Sequence, residues 1–68
     1  MLIQDFRVSL LIKKIATSAD RAAALQSVIA DIRALKQPQQ RAAAKLFFQV
    51  HPAKVMLTQD ERKAIQAA

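Results

Sequence analysis

The chain has 68 residues, with 11 Lys plus Arg against 5 acids, a net charge of +6, and no Gly, Cys, Trp or Tyr. That length sets one domain, 1–68, as the ceiling. The missing Cys excludes disulfides, iron–sulfur clusters and thiolate zinc sites, and the missing Gly excludes phosphate loops whose backbone must approach the ligand.

Ala, Gln, Leu, Lys and Arg dominate the composition, and all are good helix formers. The expected fold class is all-α: a small bundle of three main helices and a short C-terminal helix. Leu, Ile, Val and Phe make 20 of the 68 residues, above the roughly 20% below which chains stay disordered. A chain this short buries only about 60% of its unfolded surface. Self-association or docking on a partner is therefore expected to add burial.

Residues 2 to 16 allow two readings. As a strand, Phe6, Val8, Leu10 and Ile12 alternate with Arg7, Ser9, Leu11 and Lys13. Such a strand followed by two helices is similar to the ribbon–helix–helix repressors, which pair one strand from each of two chains on DNA. The resemblance implies DNA contacts from Arg7, Ser9 and Lys13, but the helix-linking turn usual in that family is missing. As a helix, Val8, Leu11, Ile12 and Ile15 form one stripe and Ile3, Phe6 and Leu10 another. The spacing favours helix, because a lone strand has nothing in the chain to pair with. A helix with two apolar faces is buried between partners, which makes Phe6, Val8, Leu10 and Leu11 the candidate partner interface.

Thr17-Ser18 is the first break, and either residue can cap a second helix over about 19 to 36, with Asp20 in its first turn. Ala22, Leu25, Val28, Ile29, Ile32 and Leu35 form its stripe, and Arg33 and Lys36 fall in its last turn. Pro38 suits the first turn of a third helix. That helix should end near Val50, because His51 precedes Pro52 and is pushed out of the α region. Its expected apolar face is Ala43, Leu46, Phe47 and Val50, with Phe48 beside it. Val55-Met56-Leu57 makes an apolar link. Thr58-Gln59-Asp60-Glu61 reads as a capping box opening a last helix with Ala64 and Ile65.

The segment Lys45 to Lys54 resembles the end of the second helix of a J-domain, where a basic helix runs into a His-Pro-Asp loop that stimulates a chaperone partner. His51 and Pro52 match, but Ala53 replaces the aspartate and the tyrosine-rich leading segment is absent. The resemblance implies an inactive J-like module at most; a His-Pro helix terminator accounts for the same residues.

Between Asp31 and Asp60 there is no carboxylate, while Arg33, Lys36, Arg41, Lys45 and Lys54 all occur there. Arg41 and Lys45 are four apart on the third helix. Arg and Gln can read base edges and Lys can neutralise phosphate, so Arg33, Lys36, Gln39, Gln40, Arg41 and Lys45 are the candidate nucleic-acid contacts. Arg41 and Lys45 are expected to project together, away from Leu46, Phe47 and Val50.

Catalysis is not expected. The Asp60-Glu61 pair is explained by capping, and His51 has no acid nearby in sequence. Scattered carboxylates and one His make no metal site, and neither a cofactor nor a small-molecule substrate is expected. No apolar run approaches the roughly 18 residues of a membrane span, and basic helices at lipid surfaces commonly carry the Trp or Tyr that this chain lacks. Residues 1–5 do not read as a secretory signal, so a cytoplasmic location is expected. The function expected is a non-catalytic protein-interaction, regulatory or assembly module whose partner is another protein or a second copy. The alternative is DNA binding through the basic face of the third helix.

Overall fold

Residues 7–68 are described by a computed structural model, and every regular element among them is helical. In chain order these are α1 (Val8–Thr17), α2 (Arg21–Arg33), α3 (Pro38–Val50), a short 3-10 helix (Pro52–Met56) and α4 (Gln59–Ala67). The bundle of three main helices and a short fourth is the one the composition implies.

Residues 8–17 form a helix, which pairs their backbone groups locally where a lone strand would leave them open. The helix starts from Arg7, whose φ of 55° lies in the left-handed region and whose carbonyl accepts from the N–H groups of Leu10 and Leu11. It stops at Ser18, which is extended. Val8, Ile12 and Ile15 are buried, and Leu11 packs beside them. Leu10, on the expected second stripe, is 52% exposed.

The cap of α2 is Asp20, not Thr17 or Ser18. Both hydroxyls are already committed: Thr17 Oγ1 donates to the Lys13 carbonyl at 2.7 Å, and Ser18 Oγ donates to the Asp20 carbonyl at 3.0 Å. Ser18 Oγ also accepts from the Asp20 N–H at 3.1 Å. This small turn leaves the Asp20 carboxylate free to accept from the Ala23 N–H at 3.0 Å. The helix therefore begins two residues later than expected and ends at Arg33, so Lys36 lies beyond it. Ala24, Val28 and Ile32 are buried along one side with Ile29 beside them, while Ala22 is exposed. The buried row runs at intervals of four, and Ala22 falls about half a turn off it.

The limits of α3 are those set by its two prolines, but its orientation is not the expected one. Ala44 and Phe48 face the core, and Leu46, Phe47 and Val50 face outward. The two candidate stripes differ by about one residue's rotation, and both are apolar. Neighbouring groups select between them. In the observed rotation the Arg41 guanidinium donates to the Leu35 carbonyl, and the Lys45 carbonyl accepts from Gln66 Nε2 at 2.8 Å. The Ala44 methyl permits close approach, while the large Phe48 ring fills the centre of the bundle.

The core joins Phe48 to Ile12 and Ile15 of α1, Val28 and Ile32 of α2, Leu57, and Ile65 of α4. Helix α1 packs on α2 and on the 3-10 helix, and α4 spans α2 and α3. The Cα radius of gyration is 10.9 Å, close to the roughly 11 Å of a compact chain of this length. The described helices thus share one core.

One polar cluster fastens the ends of this arrangement. Arg21, at the start of α2, meets Glu61 of α4 in a fork, with Nε to Oε2 at 3.0 Å and Nη2 to Oε1 at 2.6 Å. The same guanidinium donates to the carbonyls of Ala16 at 3.2 Å and Met56 at 3.1 Å. Glu61 also completes the capping box read from the sequence: Thr58 N–H donates to its carboxylate at 2.8 Å, and its own N–H donates to Thr58 Oγ1 at 3.1 Å. The hydrogen bond from Arg21 holds the Glu61 carboxyl well below its usual range, at about 2, against the opposing effect of burial and with help from Thr58.

Candidate interaction surface

The outward face of α3 is built from Ala43, Leu46, Phe47 and Val50, which fall at i, i+3, i+4 and i+7 and so form one stripe. Leu46 is 57% exposed, Phe47 41% and Val50 59%. Scattered apolar residues on a surface are ordinary, whereas a contiguous row of them is informative. No charged side chain belongs to this row; Gln39, Ala42 and Gln49 adjoin it on the helix surface. Beyond the His51 turn, Val55 and Met56 of the 3-10 helix are also exposed. The helix with two apolar faces is therefore α3, with Ala44 and Phe48 on one side and Leu46, Phe47 and Val50 on the other.

The interface expected near the N-terminus is divided differently. Val8 is buried in the chain's own core, and Leu11 is half-buried against that core. Leu10 is the exposed member. Phe6 lies outside the described residues.

The six candidate nucleic-acid contacts do not gather on one face. Arg33, Lys36 and Gln39 are exposed around the corner between α2 and α3, while Gln40, Arg41 and Lys45 are half-buried. Arg41 does not project freely with Lys45 into solvent. Its guanidinium satisfies the carbonyl of Leu35 just past the end of α2, in the region where a helix leaves its last acceptors open. Both residues flank the inward side of α3, next to Ala44 and Phe48, because the helix is turned about one residue from the expected rotation. Arg33 and Lys36 have no ion-pair partner among the described residues. A shallow depression lined by Leu35, Lys36, Gln37 and Gln40 lies at this corner.

His51 terminates α3 as the preceding-proline rule requires, and its ring is used locally: Nδ1 accepts from the Ala53 N–H at 3.0 Å and caps the 3-10 helix. Among the described residues no three His, Asp or Glu side chains gather into a metal-binding group. No helix there is long and apolar enough to cross a membrane.

The spacing of Ala43, Leu46, Phe47 and Val50 shows a stripe and predicts it to face the core, whereas it faces outward. The signal that could have placed it is the second apolar pair, Ala44 and Phe48, four apart on the same helix. No family model, no curated protein and no solved structure matches this chain.

Proposed function

We propose that this chain is a non-catalytic protein-interaction module that docks a partner helix along the outer stripe of α3. The observation that carries the reading is the row Leu46, Phe47 and Val50, exposed on a helix whose opposite side already fills the core. An apolar helix face is the usual substrate for helix-to-helix recognition through i, i+3, i+4 and i+7 anchors. The surroundings of the row favour an acidic partner. No carboxylate occurs between Asp31 and Asp60, so a partner with acids flanking its apolar stripe would find complementary charge. A second copy would bring another net +6 to the interface. A cytoplasmic setting is part of the same proposal.

The test is recovery of a partner from native extract, with and without nuclease, by the wild type and by Leu46→Ser/Val50→Ser. A nuclease-resistant partner lost by the double variant, with unchanged circular dichroism, supports the reading. Recovery that is indifferent to the substitutions overturns it. Nucleic acid is the second reading, favoured by Arg33 and Lys36, exposed at the α2–α3 corner and without an ion-pair partner among the described residues. It would be supported by nuclease-sensitive recovery and by duplex binding that falls steeply with salt.

A further inference from the structure

A cleft opens where α3, the 3-10 helix and α4 meet, away from the outer stripe of α3. Phe48 and Ile65, 2% and 0% exposed, close its bottom, and its walls are Gln49, Lys54, Arg62 and Gln66. It encloses about 140 Å³, well below the roughly 300–1,000 Å³ of sites for drug-sized ligands. Only a small group fits.

Two cations from different elements line this one space. Lys54 belongs to the 3-10 helix and Arg62 to α4, and both are half-buried. Neither side chain has a hydrogen-bond or ion-pair partner among the described residues. The nearby acids do not serve them. Glu61 is taken by Arg21 and Thr58. Asp60 precedes Arg62 by two positions, and residues so spaced do not face each other on a helix. Among the described residues no carboxylate lines the cleft.

We propose that this cleft is a binding site for a carboxylate carrying a short aliphatic chain. Arg62 presents a planar fork suited to two carboxylate oxygens, and Lys54 adds a second positive charge. The methylene stems of Lys54, Arg62 and Gln49 receive the aliphatic carbons, which an inorganic anion lacks. Gln66, a wall of the cleft, is held in place by its bond to the Lys45 carbonyl. The carboxylate is either that of a free small acid or that of a glutamate side chain on a docked chain. The site does not depend on the docking reading, because it uses none of the stripe residues.

The test is titration of the full chain, followed residue by residue in amide NMR spectra. The probes are hexanoate, N-acetylglutamate α-amide, hexanamide and inorganic phosphate. A saturable response centred on Gln49, Ile65 and Gln66 with either carboxylate, and absent with hexanamide, is expected. Hexanoate binding more tightly points to a free acid; comparable or tighter binding of the blocked glutamate points to a protein side chain. Lys54→Gln and Arg62→Gln should each weaken binding about tenfold, and Arg62→Lys should restore part of it. Dispersed spectra certify that each variant is folded, and the two substitutions on separate elements give independent readings. Four results would overturn the site: no saturation, an equal response to hexanamide, an equal or stronger response to phosphate, or a response shared with Arg33, Lys36 and Lys63.

Discussion

Substituting the two adjacent phenylalanines of α3 one at a time should produce very unequal losses of stability. Phe48 is 2% exposed and sits among Ile12, Ile15, Val28, Ile32 and Ile65, whereas Phe47 is 41% exposed. Removing a buried Phe side chain to Ala costs about 3–5 kcal/mol, because lost transfer energy and a residual cavity add. A chain of this size has roughly 3–10 kcal/mol in total, so Phe48→Ala could unfold it outright. Leucine is the better probe. Phe48→Leu should cost about 1.5 kcal/mol, and Phe47→Leu less than about 0.5 kcal/mol. With an m-value near 1 kcal/mol/M in urea, the Phe48 variant should melt about 1.5 M earlier and the Phe47 variant almost with the wild type. Urea titration followed by circular dichroism measures both. If Phe47→Leu is the more damaging change, α3 is rotated the other way and its apolar stripe is the core.

Acid should expose the contribution of Glu61. Its folded pKa, about 2, lies below the ordinary value of 4.5, so the stabilisation is fully present above pH 4.5 and is lost as pH falls toward 2. Glu61→Gln should flatten the dependence of the urea midpoint on pH across that window; an unchanged slope would place the acid sensitivity elsewhere. Asp20→Ala and Thr58→Ala should each cost about 1 kcal/mol by removing a helix cap. The amides of Ala23 and Glu61 respectively should lose exchange protection. Ser18→Ala should cost less than Asp20→Ala, and the reverse order would return the cap of α2 to Ser18.

Much of the fold was readable because strong local signals act at fixed places. Pro38, the His51-Pro52 pair and the Thr58–Glu61 box set the limits of α3 and α4 through backbone sterics and capping, which need no knowledge of neighbours. The start of α2 was harder. Thr17, Ser18 and Asp20 can all cap, and the choice rests on which hydroxyls are taken by nearby carbonyls. The rotation of α3 was harder still. Periodicity identifies apolar stripes but not which of two meets the core, and here side-chain bonds from Arg41 and Gln66 to distant carbonyls accompany the choice. The same rotation hides the basic residues. Four-residue spacing placed Arg41 and Lys45 together correctly, while their solvent exposure depended on the packing. The cleft walls, Lys54 and Arg62, come from separate elements eight residues apart, so nothing in local spacing pairs them.

The connections between these helices turn without a single glycine. Ser18, His51 and Leu57 end their elements in extended conformations, with ψ of 141°, 135° and 146°, which any L-residue can adopt. Many helices instead stop on a left-handed residue, most often glycine. Glycine is also the residue whose unfolded form samples the most conformations. Relative to glycine at a compatible position, a residue with a side chain stabilises by about 0.4–1 kcal/mol through the denatured ensemble. Over three termini this is about 1–3 kcal/mol, a sizeable share of what a small domain has. Part of this chain's stability therefore lies in no contact of the folded state. It lies in how few alternatives the unfolded chain can explore, and glycine placed at these turns would weaken the protein by more than the loss of the Ser18 and His51 hydrogen bonds and the Leu57 core contacts.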